Sequence, residues 1–180
     1  MFEITVAKSA GFCFGVDRAV KMTYEAIDKY PAVATLGPII HNNNVVDDML
    51  KRGARIINEV SELRPNECAV IRSHGVSKSV YEELEAKGNP YVDATCPFVA
   101  KIHKIVARHT AMGDYVLIAG DSNHPEVAAI VGHCSGNCSV FENDESLINF
   151  MRTKYEILGK RLAIVAQTTY NILVWEKCID

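Results

Sequence analysis

Two cysteines, two glycines and two histidines of this chain fall into register at one interval. Cys13 and Cys96 are 83 residues apart, as are Gly37 and Gly120, and His41 and His124. The surroundings agree with the spacing. "CFGVDRAVK" resembles "CPFVAKIHK", each a cysteine opening an amphipathic helix. "TLGPIIHNNNVVDDMLKRG" resembles "IAGDSNHPEVAAIVG", each a strand, a glycine, a histidine four residues on, and then a helix. Three markers in register identify two copies of one lobe, residues 1–96 and 97–180. Two lobes related in this way can aim two thiols and two imidazoles at one central point. A helix N-terminus favours negative charge, which suits a thiolate that binds metal. His41, His74 and His124, with few Lys or Arg nearby, suit a small anion held by hydrogen bonds and partial positive charge. Glu126, two residues after His124 in "NHPE", makes a proton-delivery pair with it, and "QTT" adds the hydroxyl of Thr168.

The elements that must position these residues alternate strand and helix, which makes the chain α/β: two pseudo-repeated lobes, each a small, mostly parallel sheet flanked by helices. "FEITVA" reads as an opening strand, with an edge free for self-association. "FGVDRAVKMTYEAIDKY" reads as a helix with Val16, Ala19, Val20 and Thr23 on one stripe. "AVATLG", "ARIIN", "CAVIRS", "YVDAT", "YVLIAG", "CSVFEN" and "RLAIVAQ" read as strands, and the helices between them are closed by Gly53 and Gly88 or capped by Ser77 or Ser79. Residues 144–160 read as helical cover. The candidate residues Cys13, His41, His74, Cys96, His124, Glu126 and Thr168 all fall at strand-to-helix turns. Ligands gather there in open parallel sheets, because backbone N–H groups lie free at the carboxyl ends of the strands.

Composition narrows the function classes. The 180 residues are 48% hydrophobic and carry a net charge of −3, so no broad basic face points to nucleic acid. The apolar runs are about half of what a bilayer span needs. The start lacks a basic segment followed by a long apolar stretch, so no signal peptide is expected. Six cysteines in such a chain are expected to be reduced thiols or metal ligands in the cytoplasm.

Other reactive side chains have plainer readings. Cys68 and Cys178 read as small buried hydrophobes, His103 and His109 as surface residues of a helix, and His133 as structural. Phe12 and Phe14 read as packing that shields Cys13, and the neighbouring glycines as allowing a tight turn. Cys134 and Cys138 in "HCSGNC" suggest a zinc-binding or thiol-redox module with His133, a weak signal without a second ligand pair. A non-catalytic scaffold that binds diphosphates is the remaining alternative.

"GFCFGVDRAV", "LGPIIHN", "RSHGV", "DATCPFV", "GDSNHPEV" and "AQTT", in this order from residue 4 onward, together resemble the 4-hydroxy-3-methylbut-2-enyl diphosphate reductases of the non-mevalonate isoprenoid pathway. The resemblance implies three α/β lobes around a 4Fe–4S cluster held by one cysteine from each, with the allylic diphosphate substrate on the open iron. It implies Cys13 and Cys96 as cluster ligands, and His41, His74 and His124 as pocket residues, with His41 and His74 on the diphosphate. Glu126 would relay protons together with His124, and Thr168 would hydrogen-bond near the departing hydroxyl. Electrons would come from flavodoxin or ferredoxin, and the products would be isopentenyl and dimethylallyl diphosphates. The third cysteine and a Ser/Asn-rich motif belong to the third lobe. Matching "VIRS" to "IVAQ" places that cysteine near position 190, past Asp180, and Cys178 lies in a helix unsuited to the role. On this reading the chain holds two lobes of three and is inactive by itself.

Overall fold

A computed structural model describes residues 2–8, 10–154, 157 and 159–180. The short apolar runs pair into two all-parallel sheets. In the first, β1 (Val33–Leu36), β2 (Ala54–Ile57), β3 (Cys68–Ile71) and β4 (Tyr91–Asp93) lie in the order β2-β1-β3-β4. In the second, β5 (Tyr115–Ala119), β6 (Cys138–Phe141) and β7 (Leu162–Ala166) lie in the order β6-β5-β7. The first three strands of each sheet thus follow one plan, with the first flanked by the second and third. Registers such as Val33↔Ala54 and Val116↔Cys138 are the counterparts of each other.

Parallel strands are buried on both faces, so successive residues feed two cores. Cys68 and Val70 join Ala19 and Ala26 of α1 (Phe14–Lys29) and Met49 of α2 (Asn43–Lys51). Ala69 and Ile71 point the other way, to Leu84 of α3 (Lys78–Lys87) and to a short 3-10 turn at Val60–Glu62. In the second sheet Val116 and Ile118 meet Val106 of α4 (Pro97–Ala111) and Val127 and Ile130 of α5 (Pro125–Val131). Tyr115, Leu117 and Ala119 meet Leu147 of α6 (Asp144–Thr153) and Trp175 of α7 (Ile172–Ile179). Gly88, at φ +73°, closes α3, and Ser77 occupies its N-cap position with its hydroxyl on the Ser79 hydroxyl rather than on a backbone N–H.

Three expectations change. "FEITVA" forms no strand: its alternating apolar side chains find no sheet edge, and Phe2 and Ile4 are 98% and 86% exposed. Intrinsic β preference without a pairing partner does not make a ladder. The helical cover over 144–160 is α6 as far as Thr153; Tyr155, Glu156 and Leu158 lie outside the described residues. His103 and His109 do not lie on the surface. His103 shares the buried face of α4 with Val99, Val106 and Thr110, and half-buried His109 bonds Asp114 through Nδ1 at 2.7 Å. No helix among the described residues is long and apolar enough to cross a membrane.

Candidate functional site

Both sheets send their carboxyl ends toward one seam. After β1, Gly37 turns at φ +71°, its N–H bonded to the Ile57 carbonyl, and the chain reaches His41 one residue before Asn42 caps α2. After β3, a tight turn closed by Gly75 N–H on the Arg72 carbonyl (3.0 Å) presents His74. The Ser73 hydroxyl ties this turn to the β1 loop by donating to the Ile39 carbonyl at 3.2 Å. After β5, Gly120 and a turn closed by His124 N–H on the Asp121 carbonyl place His124 at the N-cap of α5.

These three loops bring the three imidazoles together. Ring centroids are 4.8 Å apart for His41–His74, 5.3 Å for His74–His124 and 5.9 Å for His41–His124. Among the described residues this is the one place where three potential metal ligands converge, their ligating atoms within 4.8 Å of one another. Burial, then the neighbouring His41, Arg72 and His124, pushes the His74 imidazole down to about 4, so it is neutral at pH 7. Its Nδ1 is buried with no partner. His124 accepts the Glu126 N–H at Nδ1 (3.1 Å), which leaves the proton of the neutral ring on Nε2. Imidazole N–H groups around a shared space make a cradle of donors for a small anion.

Glu126 lies beside this cradle, 2% exposed. Thr168 holds both of its oxygens, the backbone N–H on Oε1 at 2.6 Å and the hydroxyl on Oε2 at 2.7 Å. The β7 turn that carries Thr168 is locked to the β5 turn. Gln167 N–H bonds the Ala119 carbonyl, and Gln167 Oε1 accepts the Asp121 N–H at 3.2 Å. Gly120 makes this possible, since a Cβ there would sit 3.0 Å from Gln167 Oε1 and 2.7 Å from Val127. The result is a fixed carboxylate with a hydroxyl donor, suited to moving a proton.

Cys13 and Cys96 are the N-cap residues of α1 and α4, and neither thiol caps its helix. Cys96 N–H donates to the Ser73 carbonyl at 2.9 Å, so this cysteine is anchored on the turn that carries His74. A Cβ on Gly15 would lie 2.5 Å from Cys96 Sγ; this glycine is a helical residue that clears space for the thiol, not a turn former. Arg18 Nη1 donates to the Thr95 carbonyl and holds the start of α1 against the same segment. Two thiols at two adjacent helix starts, with a clearance that side chains elsewhere in a helix would fill, fit a thiolate-bound group. Phe12 and Phe14 do not shield Cys13. They are 46% and 64% exposed, and Cys13 itself is exposed.

The remaining candidates do not assemble. His133 Nε2 faces the Val76 carbonyl at 3.0 Å, and its ring stacks on His103 at 4.1 Å. The Cys134 thiol donates to the Ile130 carbonyl at 3.6 Å, and its interaction with Cys138 pushes the first thiol up and pulls the second down. Cys68 is fully buried, and burial pushes its thiol up to about 11. Arg72, Gln167 and Gly15 lie within quoted motifs, but their roles escape a reading of the sequence, because they are contacts between segments distant in the chain.

The LytB protein family matches residues 4–180. The 4-hydroxy-3-methylbut-2-enyl diphosphate reductase of Clostridioides difficile (strain 630) is 39% identical over 170 residues, which cover 94% of this chain and 60% of that protein. That of Caldanaerobacter subterraneus subsp. tengcongensis is 39% identical over 182 residues, covering 99% and 61%. A solved structure of (E)-4-hydroxy-3-methyl-but-2-enyl diphosphate reductase superposes with a TM-score of 0.82 at 37% identity, over 99% of this chain and 63% of that one. The structure of the reductase from Plasmodium falciparum gives 0.84 at 28% identity, over 95% and 54%. The chain therefore spans about 60% of the length of the curated relatives it matches. With a family match from residue 4 to residue 180, and both lobes superposing on solved members, this chain belongs to the LytB family.

Proposed function

We propose that this chain forms the substrate-holding part of a 4-hydroxy-3-methylbut-2-enyl diphosphate reductase. The reaction is the two-electron, two-proton loss of water from an allylic diphosphate, giving isopentenyl and dimethylallyl diphosphates. The observation that carries it is the convergence of His41, His74 and His124 from three loops of two lobes, beside a buried carboxylate held by Thr168. His41 and His74 donate to the diphosphate oxygens. His124 orients the hydroxyl end through Nε2. Glu126, once it has taken up a proton, delivers it to the departing hydroxyl, and the Thr168 hydroxyl, which donates to Oε2, holds the carboxylate in position and lies near that hydroxyl. The lining of the cradle replaces bulk water by fixed donors, which strengthens each contact with the anion.

Cys13 and Cys96 would be two of the ligands of a 4Fe–4S cluster. The residues fit it: two thiols with no competing hydrogen bond, at helix starts, with Gly15 clearing the space beside Cys96. Such a cluster supplies electrons and a Lewis-acidic iron for the hydroxyl oxygen. Flavodoxin or ferredoxin is the electron donor in this reading, and the cytoplasm its compartment. The test is a fusion of residues 1–180 to the C-terminal portion of the Clostridioides difficile relative that this chain does not match. Anaerobic turnover of the allylic diphosphate, abolished by His124→Ala and by Glu126→Ala, is expected. A folded, iron-loaded fusion that binds the diphosphate without turning it over would instead make the chain a binding scaffold.

A further inference from the structure

A second cleft opens behind the histidines, with a volume of about 580 Å³, within the range of small-molecule sites. None of the seven residues assigned above lines it. Its walls come from both lobes: Leu36 at the end of β1, Val60 of the 3-10 turn, Val76 just before α3 and Val80 in its first turn, and Ala128 of α5. Arg72 provides its cation. The guanidinium lies over the carboxyl end of β1, where Gly37 makes room: a Cβ there would be 2.7 Å from Arg72 Nη1. Arg72 Nε is buried with no hydrogen-bond partner, and no carboxylate among the described residues pairs with this guanidinium. Two carboxylates do line the cleft. Glu59 is engaged by the Ser61 hydroxyl and caps the Val60–Glu62 turn, and Glu83 is exposed on α3.

An arginine always carries its charge, and a half-buried charge left without a partner is costly. A glycine that exists to seat it, at the head of a cleft of ligand size, indicates that the partner is a ligand. We propose that this cleft is a second anion site, in which Arg72 binds the phosphate or carboxylate of a small molecule. The apolar walls cover the body of that molecule, and Glu59 and Glu83 favour hydroxyl or amine donors at its far end. Arg72 and Gly75 flank His74, and Pro125 follows His124, so an occupant would press on both segments that hold the central histidines.

The side-chain Nε–H resonance of Arg72, identified by its absence in Arg72→Lys, reports on the site in the chain as it stands. Inorganic pyrophosphate and citrate, titrated separately, distinguish phosphate from carboxylate as the anion. One of them is expected to shift this resonance saturably at submillimolar concentration. The shift is expected to survive in the His41→Ala/His124→Ala double variant and to weaken at least tenfold in Val80→Trp, which fills the cleft and leaves Arg72 in place. No saturable shift with either anion at millimolar concentration overturns the proposal. So does a shift that disappears in the histidine double variant and persists in Val80→Trp, because it assigns the anion to the central site. The reductase reading stands or falls separately on turnover in the fusion.

Discussion

Mild acid is expected to weaken this fold through His103, at a pH above the ordinary carboxylate range. His103 is 5% exposed, stacked on His133, with its Cε1 close enough to Gly75 that a Cβ there would be 2.6 Å away. Burial first, and then His133, pushes its imidazole down to about 4, while Asp93 acts in the opposite direction. Free of the fold it titrates near 6.5. Between those values the unfolded chain binds a proton that the native chain refuses, so stability is complete above about 6.5 and falls as the pH drops toward about 4. At about pH 5 the loss is about 2 kcal/mol, from the difference in proton binding between the two states. That is a large share of the roughly 5–15 kcal/mol by which such domains are stable. His74 shifts in the same direction and adds to the loss. Glu67, Asp48 and Glu62 are held below the usual carboxylate range by Arg55, Tyr24 and backbone N–H groups respectively, which moves their titration away from this window. The assay is urea denaturation at about pH 7.5 and pH 5, for the natural chain and for His103→Phe, whose ring can stack on His133 but cannot titrate. The variant is expected to lose about 2 kcal/mol of the pH dependence, whatever its stability at neutral pH. An equal pH dependence in both proteins would refute the argument.

In the fusion protein, Glu126→Gln keeps the Thr168 contacts in part but cannot deliver a proton. Its kcat is expected to fall about 100-fold or more with KM little changed, read from initial rates. Gly15→Ala is expected to push Cys96 Sγ away by about 1 Å to reach ordinary contact. Iron content after anaerobic reconstitution should then fall while the helical circular dichroism holds, and unchanged iron retention would rule out the clearance role. Residues 1–180 alone, reconstituted anaerobically, are expected to give no turnover and no stable stoichiometric iron and sulfide, because Cys13 and Cys96 are read as two of three ligands.

The strands and helices are legible in the sequence because buried parallel strands are short apolar runs ended by glycine, and their helices carry caps such as Asn42 and Gly88. The 83-residue register is visible in three dimensions as the shared β2-β1-β3 and β6-β5-β7 plan. Errors arise where a local pattern is ambiguous. The alternation of Phe2, Ile4 and Val6 satisfies a strand template, and only pairing decides whether it forms one. His103 falls at a helical spacing with Val99, Val106 and Thr110, so its burial is written in the periodicity and is masked by its polar type. Gly15 is different. Its reason is the Sγ of a residue 81 positions later, and no neighbour in the chain signals it.

The three histidines hang on different bodies. His41 and His74 belong to loops of the first sheet, tied together by the Ser73 hydroxyl, whereas His124 starts a helix of the second. Only the His41–His74 edge of the triangle is therefore rigid by construction. The other two edges are set by the angle between the sheets, and with a lever arm of about 10 Å a rotation of about 6° moves His124 by about 1 Å, a misplacement on the scale that can cost a catalyst about 100-fold. Contacts that cross from one sheet's cover to the other's, such as His133 Nε2 on the Val76 carbonyl at 3.0 Å and the Lys78 N–H bond to the Gly132 carbonyl, help to fix this angle. On the reductase reading proposed above, substitutions that loosen them would change turnover in the fusion protein while leaving every reacting group in place.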